Sequence, residues 1–118
     1  MKKYLLILLS AFVLAACSST PSMKEMTIRT GDTDSIEITD MRSLMRNGVL
    51  TAQVTILNDS KSNLVAYRFK WLGKNGMVVT DEEAWKPVTV GKGQTTVIMG
   101  IAPTPDATDF RFELNQYK

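Results

Sequence analysis

The sequence predicts an all-β protein, an antiparallel β-sandwich of about seven short strands preceded by a cleaved signal peptide. Three observations carry that prediction. Beyond residue 26 the apolar residues alternate with polar ones in short runs, and no helical period appears. The runs are parted at roughly regular spacing by turn chemistry, including Asn47-Gly48 and Asn75-Gly76, pairs that tolerate the positive φ of a hairpin turn. The first sixteen residues differ from all the rest in composition.

That leader opens with Lys2 and Lys3 and continues with Tyr4 to Val13, apolar except for Ser10. A charged start, a short apolar run and a small-residue cleavage site form the secretory-signal pattern. The run is well short of the ~20 residues that a spanning helix needs. Nothing polar gives it the second face of a core helix. Leu14-Ala15-Ala16-Cys17 resembles the bacterial lipobox. The resemblance implies cleavage between Ala16 and Cys17, an S-diacylglycerol on the Cys17 sulfur and an N-acyl chain on the new amino group. Each buried methylene adds ~0.8 kcal/mol, so several chains anchor far more firmly than one. No other cofactor is expected. Ser18 stands where an aspartate would favour inner-membrane retention, which implies the periplasmic face of the outer membrane.

The chain therefore divides into a signal peptide (1–16), a lipidated flexible tether (17–25) and a sandwich domain (26–118). The tether is small, polar and interrupted by Pro21. Met26 to about Asp34 is ambiguous: Met26 and Ile28 alternate as at the start of an edge strand, and Gly31-Asp32 breaks the pattern. Ile36 and Ile38 begin a strand that continues less regularly through Met41, Leu44 and Met45. After Asn47-Gly48, the residues Leu50, Ala52, Val54 and Ile56 share one face. Asn58 to Asn63 is a polar turn cluster. Val65, Tyr67, Phe69 and Trp71 then alternate with Arg68 and Lys70. Met77 to Thr80 is expected as a short strand, and Asp81-Glu82-Glu83 as an acidic bend. Pro87 marks residues 85–90 as an edge or irregular strand. Thr95 to Ile101 is a strand, residues 102–109 a Pro-containing connection, and Phe110, Phe112 and Leu114 the inward series of the last strand.

Composition excludes much chemistry. The 118 residues contain no histidine and one cysteine, which removes Ser-His-Asp and Cys-His nucleophiles, imidazole metal ligands and any intrachain disulfide. The formal charge of +2 belongs to the leader: without Lys2 and Lys3 the mature chain has 12 basic against 12 acidic side chains. A nucleic-acid-binding surface has no compositional support.

Tyr67-Arg68-Phe69-Lys70-Trp71, Asn75-Gly76, Trp85-Lys86-Pro87-Val88, Gly100-Ile101-Ala102-Pro103 and Phe110-Arg111-Phe112 together resemble the YcfL family. These are small enterobacterial-type lipoproteins with a domain of unknown function. The resemblance spans about residues 36–116. It implies an immunoglobulin-like sandwich and an envelope location, and it carries over no catalytic residues.

Candidate sites follow from residue type. The row Tyr67, Phe69, Trp71 is expected in the core. Trp85, between an acidic bend and Pro87, reads either as core or as a partly exposed anchor for a partner. Arg42 and Arg46, with Met41, Leu44 and Met45 around them, read as ordinary edge-strand decoration or as a contact patch on a bulged strand. Asp81, Glu82 and Glu83 read as a solvated turn. Asp32, Asp34, Glu37 and Asp40 lack the ligand order and glycine of a calcium loop, so no metal is expected. The expected role is a non-catalytic module, membrane-bound through its lipid, that binds an envelope protein through Trp85, Arg42 or Arg46. The alternative is a small-ligand or glycan binder, for example of a peptidoglycan fragment. A carboxylate-pair hydrolase is the third reading, and no carboxylate pair sits in a context suited to it.

Overall fold

Alternation becomes pleat wherever one face of a run can be buried, and here it does so seven times. The structure, a computed structural model, describes residues 22–61 and 63–117. Ala16, Cys17, the signal peptide and the start of the tether lie outside those residues. The strands are β1 (Thr27–Thr30), β2 (Ile36–Arg46), β3 (Val49–Asn58), β4 (Asn63–Leu72), β5 (Lys86–Val90), β6 (Thr95–Ile101) and β7 (Asp109–Gln116). They make a four-stranded sheet, β1-β7-β4-β5, and a three-stranded sheet, β2-β3-β6. This is the sandwich the sequence predicts.

The core lies between the sheets. Ala52, Val54 and Ile56 of β3 and Ile98 of β6 face Val65, Phe69 and Trp71 of β4 and Phe110, Phe112 and Leu114 of β7, and all are buried. The Phe69 ring is the hub, with ring centroids 5.4 Å from Trp71, 5.5 Å from Phe112 and 6.0 Å from Phe110. β6 closes onto it at Gly100, where an added Cβ would sit 2.6 Å from the Phe69 ring. The glycine is there for close approach.

Three details refine the sequence reading. The ambiguous segment does form β1, and it pairs with β7 in parallel, Thr27 opposite Phe112 and Thr30 opposite Asn115. The register of β2 against β3 shifts between Ile38 and Asp40. That bulge moves the inward positions from Ile36 and Ile38 to Met41, Ser43 and Met45, which explains the irregular apolar pattern. Met77 to Thr80 is not a strand: a 3-10 turn at Lys74–Gly76 leads only to a single bridge between Leu72 and Val78. The Val79 N–H bonds the Trp71 carbonyl (3.2 Å), but the next donor along β4, the Phe69 N–H, is taken by the Glu83 carboxylate (3.1 Å). A side chain stands where a strand would have continued.

Candidate contact surfaces on the two outer faces

With Val65, Phe69 and Trp71 of β4 in the core and Tyr67 packed against it, Arg68 and Lys70 project from the outer face of the four-stranded sheet. The register sets Arg68 opposite Glu113 of β7. The Arg68 guanidinium donates from Nε to Glu113, from Nη2 to Glu82 Oε1 (3.1 Å) and from Nη1 to the Glu83 carbonyl (3.4 Å). Its Cζ lies 4.1 Å from the centroid of the Trp85 ring, a cation–π contact. Lys70 Nζ stands 4.0 Å from the other Glu113 oxygen.

Glu83 lies beneath this cluster. One of its oxygens accepts the Phe69 N–H and the other the Trp71 Nε1–H, each at 3.1 Å. A buried indole N–H needs an acceptor, and Glu83 supplies it. The acidic bend is therefore not a freely solvated turn: Glu82 and Glu83 both reach back to β4. A pocket of about 180 Å³ lies among Arg68, Trp71, Val78, Thr80 and Glu83. The carboxylates of Glu82, Glu83 and Glu113 on its wall are bound to cations or to N–H donors, an arrangement that holds the Glu82–Trp85 stretch against the sheet.

Trp85 is 37% exposed. It also lines a shallow groove of about 500 Å³ with Thr30, Asn115, Gln116 and Tyr117. Trp85 thus takes the partly exposed of its two readings.

The outer face of the three-stranded sheet is different in kind. The bulge in β2 points Arg42, Leu44 and Arg46 outward together. Registers align Arg42 with Gln53 and Met99, Leu44 with Thr51 and Ile101, and Asp40 with Thr55 and Val97. Leu44, Val97, Met99 and Ile101 are each more than half exposed. Arg42 donates to Asp40 at 2.8 Å, an exposed pair of little energetic weight. A depression of about 220 Å³ runs between Arg42, Leu44, Arg46 and Met99.

The three contact candidates are therefore not one site. Arg42 and Arg46 share a face, and Trp85 belongs to the opposite one with Arg68. The sequence reading missed Val97, Met99 and Ile101, whose alternation had been visible but whose outward face could not be assigned. Among the described residues no group of three or more His, Cys, Asp or Glu side chains is placed to hold a metal ion, and Asp32, Asp34, Glu37 and Asp40 do not gather.

Comparison with known proteins agrees with a lipid-anchored membrane protein and with the fold. Residues 24–116 match the family model described as a protein of unknown function, DUF1425. Residues 1–18 match that of the prokaryotic membrane lipoprotein lipid attachment site, which indicates a membrane-anchored lipoprotein. Among solved structures the chain is similar to Cj0090 of Campylobacter jejuni, at 25% identity over 78% of this chain and 98% of that one, with a TM-score of 0.68. It is also similar in fold to a DUF1425 family member from Shewanella sp. pv-4, at 24% identity over 70% of this chain and 79% of that one, with a TM-score of 0.65. No curated protein matches the chain.

Proposed function

This chain belongs to the DUF1425 family, and from that premise we propose that it is an outer-membrane lipoprotein facing the periplasm that acts, without catalysis, by binding another envelope protein. Within the family we place it with the YcfL-type lipoproteins, on the motifs from Tyr67 to Phe112. Cys17 carries the lipid, and Ser18 supports the outer-membrane destination.

One observation supports the binding role above the others: the exposed apolar surface of Leu44, Val97, Met99 and Ile101 beside Arg42 and Arg46. Val97, Met99 and Ile101 form an exposed apolar row along β6, with Leu44 and the two arginines across Thr51 and Gln53 of β3, and exposed apolar side chains gathered on one face mark contact surfaces. Met and Arg are the residue types enriched at such contacts. A neutral mature chain brings no general attraction for polyanions, so specificity rests on shape and apolar contact.

Photo-crosslinkers placed at Arg42 and Arg46 in intact cells test this. The expected result is one and the same envelope protein captured from both positions, with capture lost on Leu44→Asp combined with Met99→Asp. Absence of any adduct at both positions overturns the reading.

A second reading rests on the opposite face. The groove bearing Trp85, Tyr117, Asn115 and Gln116 combines aromatic rings with amides, which is chemistry suited to a glycan. Titration with a soluble peptidoglycan fragment should quench Trp85 emission in that case. An unchanged spectrum removes this alternative.

A further inference from the structure

Edge strands leave one row of backbone donors and acceptors unpaired, and proteins ordinarily guard them with charge, proline, a bulge or brevity. Three of the four sheet edges here are guarded. β1 has four residues, β2 carries the bulge with Glu37, Arg42 and Arg46, and β5 carries Lys86 and Pro87. β6, Thr-Thr-Val-Ile-Met-Gly-Ile, has no charge and no proline, and its register with β3 is unbroken. Among the described residues no strand lies on its other side.

The phase of its free hydrogen bonds can be read from its paired ones. The Ala102 N–H bonds the Leu50 carbonyl and the Asn58 N–H bonds the Gln94 carbonyl. In an antiparallel ladder, hydrogen-bonded and non-bonded pairs alternate. With Val54 opposite Ile98, the residues bonded to β3 are therefore Thr96, Ile98 and Gly100. The N–H and C=O groups of Thr95, Val97, Met99 and Ile101 point to the open edge.

We propose that this edge pairs with the same edge of a second copy, β6 antiparallel to β6, joining two three-stranded sheets into one of six. The strand is self-complementary for this. Antiparallel pairing centred on Ile98 sets Thr95 against Ile101 of the partner and Val97 against Met99, so every outward-pointing backbone group meets another. Side chains match as well. All four residues lie on the outer face, are uncharged, and place apolar Val97 beside apolar Met99 across the seam. With no charge on the strand, bringing two copies together opposes no like charges. Copies anchored in one membrane also meet at high effective concentration, which favours a modest edge contact. The pairing leaves the outer face of the sheet available, so it is independent of the heterologous contact proposed above.

Cysteine crosslinking in isolated membranes, with the full lipidated chain, tests the register. Differently tagged Val97→Cys and Met99→Cys chains, co-expressed and oxidised, are expected to form a mixed disulfide dimer, several-fold above an Arg42→Cys control on the β2 edge. The Thr95→Cys and Ile101→Cys pair, opposed in the same register, should behave alike. Adding Val97→Pro to that second pair should abolish its crosslink. This proline removes an N–H that points to the open edge and spares the ladder to β3, so the thermal midpoint of the variant should stay close to that of the parent. The proposal is overturned if neither cysteine pair exceeds the control, if the Thr95→Cys and Ile101→Cys crosslink is undiminished by Val97→Pro, or if the thiols capture a different protein in place of the second copy. Any of these results leaves the crosslinks from Arg42 and Arg46 to be judged separately.

Discussion

Asn58 is fully buried where the ends of β3, β5 and β6 converge, and its amide has no unsatisfied atom. Nδ2 donates to the carbonyls of Val90 and Lys61, both at 2.7 Å, and Oδ1 accepts the Ser60 N–H at 3.1 Å. Its own carbonyl accepts the Gly93 N–H at 2.7 Å. Removing the side chain takes a donor from the buried Val90 carbonyl and another from the Lys61 carbonyl. Asn58→Ala should therefore cost about 2–3 kcal/mol, read as a drop of roughly 10 °C or more in the thermal midpoint. Asn58→Asp keeps the acceptor, loses both donors and should be no better. Glu83 allows a more local test. Glu83→Ala should release the Phe69 amide to rapid hydrogen exchange while amides of β3 stay protected, and unchanged protection at Phe69 would refute the role assigned to the carboxylate. Neither residue's task was legible in sequence. Asn58 read as the first of a polar turn cluster and Glu83 as part of a solvated bend, because a polar residue at a strand end looks the same whether it faces water or ties three segments together. Tyr67, Phe69 and Trp71 were legible, since their alternation with Arg68 and Lys70 leaves one apolar face to bury.

At the level of elements, the contact between Gly100 of β6 and Phe69 of β4 sets how closely the sheets approach. The ring is hemmed in by Trp71, Phe110 and Phe112 and has nowhere to move. Gly100→Ala should destabilise by about 1–3 kcal/mol through overpacking. In combination with Phe69→Leu the cost should be less than the sum of the single changes, because the smaller side chain vacates the space the methyl needs. Strict additivity in denaturation midpoints would show that the two residues do not meet. Element existence followed well from period and turn chemistry: Asn47 and Gly48 take φ of 53° and 82°, as the hairpin requires. Two elements were harder. Met77 to Thr80 has the composition of a strand, but the neighbour it needed is replaced by Glu83. β1 is too short for its period to decide, and its partner lies at the far end of the chain.

For the molecule as a whole, the first prediction concerns the anchor. Cys17→Ser should leave the chain unlipidated and move it from the membrane to the soluble fraction. A firmly membrane-bound, processed Ser variant would refute Cys17 as the attachment point. The leader was readable because charge, apolar length and the Leu14-to-Cys17 motif all lie within one short stretch. The distribution of Arg42, Arg46 and Trp85 over opposite faces was not, because it depends on a one-residue bulge and on the order of strands in two sheets. The parallel pairing of β1 with β7 has a mechanical consequence for a tethered protein. Tension from the membrane enters the domain just ahead of Thr27. A pull along the axis of β1 loads its hydrogen bonds to β7 together, in shear, instead of peeling them one at a time. Arg29, clasping the carbonyls of Thr33 and Ile36 at 2.8 Å, stiffens the next stretch of chain. The domain thus meets its membrane attachment through a joint suited to bearing force, with the β2-β3-β6 sheet outside the load path.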